Sequence, residues 1–188
     1  MKRVNPMRMY GVNTSQQESQ PMQEQECVDK KTKSASEPPM MSKDDILKAI
    51  RKYHATLMVV SNMVKAFHYT CVGDDFYSIH ARFEDFYKTF DEYIDSTAEL
   101  LVMVCSTPVL TLSEAIDLAG VDEYIFSGCC ISCSEAVREM SEVFSCLKDM
   151  STILNKRVDA VGIPNIFQEH LYFYYTEYWK MKAYLQED

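Results

Sequence analysis

Chain breakers are scarce in this sequence. Five glycines and six prolines stand among 188 residues, and four of the prolines (Pro6, Pro21, Pro38, Pro39) precede residue 43. A turn-rich all-β fold is therefore disfavoured and long helices are expected. No apolar run approaches the ~20 residues of a membrane span. No apolar segment follows Met1-Lys2-Arg3, so no secretory signal is expected and the cytoplasm is the expected compartment. The seven cysteines are an odd number in a chain of ordinary size, which favours reduced thiols over a disulfide framework. Cys130 and Cys133 form a lone C-x-x-C. Without a second such pair or a strand–turn–helix context, small apolar residues near a helix start are a simpler reading than a zinc or redox pair. Glu-x-x-His is also missing, because Arg51, Lys65, Tyr77 and Phe167 stand three residues before the four histidines. That excludes a di-iron site built from such motifs inside one bundle.

What remains divides in two. Residues 1–42 are rich in Gln, Ser, Met and Lys, show no helical period, and are expected to be a disordered tail. The tail carries six basic and five acidic residues, a net of +1, so the rest of the chain holds −10 of the total −9. Residues 43–188 suit one domain with a proper core. Ser42-Lys-Asp-Asp45 is a plausible cap for a first helix with the stripe Ile46, Ile50, Tyr53, Leu57, Val60, Val64 and Phe67. Gly73 precedes a second helix, and Pro108 follows it. Thr111–Ala119 suits a short helix in a crossover, roughly Asp122–Asn155 a third long helix, and Asn165 onward a fourth, with Gly162 and Pro164 between. The expected fold is all-α, a four-helix bundle with a crossover.

Two histidines and three carboxylates carry the chemistry. Imidazole with carboxylate takes iron, manganese or zinc without thiolate. On the second helix His80 and Glu84 are i and i+4, as are Asp95 and Glu99, so each pair shares a face. Eleven residues from Glu84 to Asp95 amount to about 1100° of rotation, which puts both pairs on nearly one face, but roughly 16 Å apart along the axis. No small metal centre spans that distance on one helix. Two antiparallel copies related by a two-fold axis would set His80 and Glu84 of one chain beside Asp95 and Glu99 of the other, twice over. The ligand spacing therefore predicts at least a dimer. His68 closes the first helix nearby, and Cys71 is a weaker candidate for contact with the metal. His54 and His170 match no motif. A carboxylate pair alone is usually a solvated face, but five such residues in matching register favour metal.

The stretch His68-Tyr-Thr-Cys-Val-Gly73-Asp-Asp-Phe76, then His80-x-x-Phe83-Glu84, then Asp95-x-x-Ala98-Glu99 resembles the Dps miniferritin family. That family's signature runs H-W-N-V-x-G-x-x-F-x-x-x-H-x-x-F/L-E/D and then D-x-x-A-E-R. The chain end, Glu177-Tyr-Trp179-Lys-Met-Lys-Ala-Tyr-Leu185, is similar to the family's closing W-M-x-x-A-x-L. In outline the resemblance covers residues 43–188. It implies a ferritin-like four-helix bundle with a short crossover helix, assembled from two-fold dimers into a hollow dodecamer. It further implies ferroxidase sites that oxidise Fe(II), preferentially with hydrogen peroxide, and store ferric mineral as protection against oxidative stress. By position, His68, His80 and Glu84 would bind one or two iron ions from one chain, and Asp95 and Glu99 from its partner.

In some Dps proteins a lysine-rich tail binds DNA. With a net of +1 here, an inert solvated tail is the simpler reading. Tyr69 stands where the family mostly has Trp. Leu100 and Tyr175 stand where it has an Arg–Asp pair, and Lys156, Val161 and Asn165 at its pore acids, with Asp159 and Glu169 close by. These departures keep an alternative open: a shell that retains the fold without catalysis and binds zinc or a partner protein. The twelve tyrosines could trap radicals near iron, though tyrosine is also a common packing residue.

Overall fold

In a computed structural model, residues 42–106, 109–126, 128–158 and 165–186 are described. The expected tail falls outside them except for Ser42, as do Pro108, Asp159, Val161, Gly162 and Pro164. Four long helices build the bundle: α1 (Lys43–Thr70), α2 (Phe76–Cys105), α4 (Cys133–Arg157) and α5 (Phe167–Leu185), with the short α3 (Leu112–Leu118) in the crossover. The all-α bundle expected from the hydrophobic periodicity is the one the chain forms. Helix α1 packs on α2, α4 on α5, and α1 joins the two pairs through α4.

The helix ends follow from local chemistry. Ser42 Oγ accepts the Asp45 N–H at 3.2 Å, and Asp44 and Asp45 complement the dipole of the first turn. At the far end of α1 the backbone turns extended at Cys71. Gly73, at φ +105°, then makes the reversal that a side chain would strain. Helix α2 stops at Ser106, which adopts a left-handed conformation (φ 49°) and returns its N–H to the Val102 carbonyl at 3.0 Å. Thr111 and Glu114 form a capping box at α3.

The third long helix begins at Cys133, not near Asp122. Two interactions take the intervening chain. Tyr124 and Phe126 pack edge-on against Phe67, with centroids 5.0 and 5.8 Å away. Ile131 is buried in a two-residue strand, β2 (Ile131–Ser132), that runs parallel to β1 (Cys71–Val72), with Cys71 opposite Ile131. Ser132 then caps α4 by accepting the Glu135 N–H at 3.2 Å.

Aromatic rings fill the middle of the bundle. Phe86 and Phe90 of α2 meet Phe144 of α4 at 5.1 and 5.7 Å, and Phe144 meets Phe173 and Tyr174 of α5, both at 5.7 Å. Each ring fully removed from water contributes roughly 1.5–3 kcal/mol. Among the described residues no helix is long and apolar enough to cross a membrane.

Candidate metal centre

The turn through Gly73 folds the start of α2 back on the end of α1 and places His68 against His80. His68 Nδ1 donates to the His80 carbonyl at 2.9 Å, and His80 Nδ1 donates to the His68 carbonyl at 2.8 Å. A carbonyl can only accept, so both rings carry a proton on Nδ1, and in the neutral imidazole Nε2 is then the nitrogen with the lone pair. The rings stack with centroids 3.8 Å apart and planes 21° from parallel. Phe76 lies 5.0 Å from His80, and Tyr87 5.4 Å from His68. Backbone support of this kind fixes the tautomer and aim of a metal-binding imidazole. The two nitrogens fit a divalent transition metal.

Glu84 stands one turn beyond His80 on α2. Lys88 Nζ lies 2.5 Å from its carboxylate, and that hydrogen bond and charge hold the carboxyl below its usual range. Asp95 and Glu99 are both exposed, a further three turns along the same helix. Among the described residues no group of three His, Cys, Asp or Glu closes around one point within the chain. The fold thus brings together His68 and His80, keeps Glu84 one turn away, and leaves Asp95 and Glu99 apart on the outer face of α2.

The thiols sit beside this centre rather than in it. Cys71 meets it only through a long contact, Sγ to the His68 carbonyl at 4.0 Å. Burial, reinforced by neighbouring Cys133, pushes the Cys71 thiol up to about 11, so it is a protonated packing group. Cys133 is buried at the start of α4, as the simpler reading of the C-x-x-C expects, but Cys130 is exposed with its sulfur 3.9 Å from that of Cys129. Leu100 lies in the core, whereas Tyr175 is 53% exposed with the Lys148 ammonium 5.8 Å from its ring. These two residues do not replace one contact by another.

Several polar groups in the core were not legible. His54 Nδ1 donates to Thr97 Oγ1 at 2.8 Å, because the Thr97 hydroxyl itself donates to the Tyr93 carbonyl at 2.7 Å; His54 Nε2 is buried without a partner. His170 Nδ1 lies 2.9 Å from the Tyr53 hydroxyl, which is 2.6 Å from that of Tyr174. Burial pushes His170 down to about 4 and lowers His54, with Arg51 adding to the latter. Glu177, almost wholly buried, is held between Arg82 Nε at 3.0 Å and Lys180 Nζ at 2.8 Å. The His170 and Arg82 contacts join positions 117 and 95 residues apart, beyond the reach of any local pattern. The one signal available was the presence of Tyr53 and Tyr174 at stripe positions where Phe would pack as well.

Comparison with known proteins places the fold. The family model for the Ferritin-like domain matches residues 47–187. The chain is 30% identical over 80 residues to General stress protein 20U of Bacillus subtilis (strain 168), covering 43% of this chain and 55% of that protein. It is 35% identical over 74 residues to the DNA protection during starvation protein of Helicobacter pylori (strain J99), covering 39% and 51%. The matched stretch thus spans about half the length of these curated relatives. Among solved structures, Dps from Staphylococcus aureus superposes with a TM-score of 0.71 at 25% identity, over 77% of this chain and 97% of that one. Antigen TpF1 from Treponema pallidum does so with 0.69 at 22%, over 76% and 92%.

Proposed function

The chain belongs to the ferritin-like family, on its Dps side, and from that premise we propose that it is a miniferritin that oxidises and stores iron. His68, His80 and Glu84 of one protomer bind Fe(II) with Asp95 and Glu99 of the partner subunit. Hydrogen peroxide accepts two electrons from the bound iron. The Fe(III) product is hydrolysed and passes to a mineral core inside a dodecameric shell. Oxidation at a confined site keeps peroxide from meeting isolated Fe(II), which would yield hydroxyl radical, so the protein protects against oxidative stress.

The observation that carries this reading is the reciprocal clamp of His68 and His80, which ties each Nδ1 to the other residue's carbonyl and leaves both Nε2 atoms out of the clamp. Supporting it, the residues from 43 onward carry −10, a field that gathers cations and repels DNA. The acids that complete the ligand set stand too far along α2 to serve their own chain.

The test is to add Fe(II) anaerobically, then stoichiometric hydrogen peroxide, and follow Fe(III) absorbance. Fast oxidation in the wild type, lost in His80→Ala, is expected. The Glu84–Lys88 ion pair favours a second reading, in which a lysine occupies the carboxylate and the shell binds metal without turnover. Metal binding without protein-dependent oxidation in the same experiment would select it.

A further inference from the structure

Glu177 is an acid that core packing does not require. Its side chain is only 4% exposed, yet it takes two cations. Arg82 reaches it through Nε at 3.0 Å and through a terminal nitrogen, and Lys180 Nζ lies 2.8 Å away. An apolar pair of similar volume in place of Arg82 and Glu177 would often hold a bundle as well or better, so stability alone does not call for the ion pair. All three residues line a groove of about 390 Å³ between α2, α4 and α5. None of the five proposed iron ligands lines it.

Helices α2 and α5 run antiparallel along this groove, since Asp75 meets Tyr184 at one end and Arg82 meets Glu177 further along. The Tyr184 hydroxyl donates to Asp75 at 3.4 Å and closes that end. Between the two contacts lies an apolar floor of Ile79, Phe83, Val137 and Met181. The seven residues from Asp75 to Arg82 amount to about 10 Å of helix. Arg82 and Lys180 lie nearer solvent than Glu177, with side chains 37% and 48% exposed. An ammonium brings three donors and a guanidinium five. Among the described residues, the contacts to Glu177 and Asp85 engage both Glu177 oxygens, but only one hydrogen of Lys180 and three of Arg82.

We propose that the groove binds a medium-chain monocarboxylate, its carboxylate on Arg82 and Lys180 and its chain over Ile79, Phe83, Val137 and Met181. The head accepts the remaining hydrogens of two cations that Glu177 holds in place, and charge-assisted bonds of this kind are the strong ones. The Asp75 carboxylate repels an anionic head from the other end, which sets the orientation. The span of about 10 Å admits roughly eight methylenes before the Asp75–Tyr184 contact stops the chain, the length of decanoate. An amine head would meet two like charges, and an alcohol would forgo the ionic bonds. The site stands independently of iron binding.

The experiment is isothermal titration calorimetry on the full chain, with decanoate kept below its micelle concentration. Wild type should bind one decanoate per chain. Octanoate should bind about 15-fold more weakly, because each buried methylene contributes about four-fold, whereas dodecanoate should gain less than about two-fold over decanoate once the groove has ended. Decylamine should not displace decanoate. Lys180→Gln keeps the Arg82–Glu177 pair and should weaken decanoate about 10-fold. Arg82→Leu combined with Glu177→Leu removes the buried pair as a unit and strands no charge. Folded by circular dichroism, this double variant should bind decanoate no better than decanol. Absence of saturable decanoate binding, displacement by decylamine, or wild-type affinity in Lys180→Gln would overturn the proposal. So would affinity that keeps rising four-fold per methylene through dodecanoate, the mark of an open greasy surface.

Discussion

The two histidines of the centre are positioned by each other's backbone, so their geometry survives loss of any carboxylate. Glu99 is exposed and spends no packing energy. Glu99→Gln should therefore leave helical content and melting unchanged, yet slow Fe(II) oxidation by roughly 10-fold or more, the scale at which even supporting residues of metal sites act. Unchanged stopped-flow rates would move the site elsewhere. A second residue-scale consequence concerns acid. The unfolded chain protonates an ordinary histidine near pH 6.5, whereas folded His170 waits until about 4. Between these values the unfolded state binds more protons, so stability is complete above pH 6.5 and falls as pH drops towards 4, by about 3 kcal/mol for this residue. Urea midpoints at pH 7 and pH 5 should differ clearly in wild type and less in His170→Gln; equal pH dependence would refute the assignment. The five positions proposed as ligands are defined by residue types and intervals that are local. The buried histidines were not legible, because their partners come from other helices.

Helices α1, α2 and α5 begin within two residues of where capping and periodicity put them, since Ser42, Gly73 and Asn165 act on their own neighbours. Helix α4 does not. Its predicted first turns are drawn off by Phe67 and by Cys71 of β1, contacts that no window of sequence contains. The turn between α1 and α2 joins the two levels, because it both reverses the chain and sets His68 against His80. No atom lies within 4 Å of where a Gly73 Cβ would be, so only the backbone resists substitution. Gly73→Ala should cost about 1–3 kcal/mol and weaken metal binding through the displaced rings. Calorimetry and Fe(II) titration would measure both, and an unperturbed variant would mean the turn relaxes without moving the histidines. In the core, Phe144→Ala should cost about 3–5 kcal/mol in urea melts, since its ring meets aromatics from both α2 and α5. A loss below 1 kcal/mol would contradict that packing.

At the scale of the molecule, the proposed ligands on α2 fall into two pairs separated by roughly three turns, and under the proposed function a second copy is what would unite them. This division was readable from the spacing of His80, Glu84, Asp95 and Glu99, because helical geometry converts intervals into distances. It makes the central claim testable by complementation. His80→Ala and Glu99→Gln subunits, each assembled alone, should oxidise Fe(II) at no more than about a tenth of the wild-type rate. Assembled together at equal amounts, half of the two-fold dimers are mixed, and one of the two sites in each contains every wild-type ligand. The mixed oligomer should therefore regain about a quarter of wild-type ferroxidase activity. Mixed oligomers as inactive as either parent would contradict a site shared between subunits.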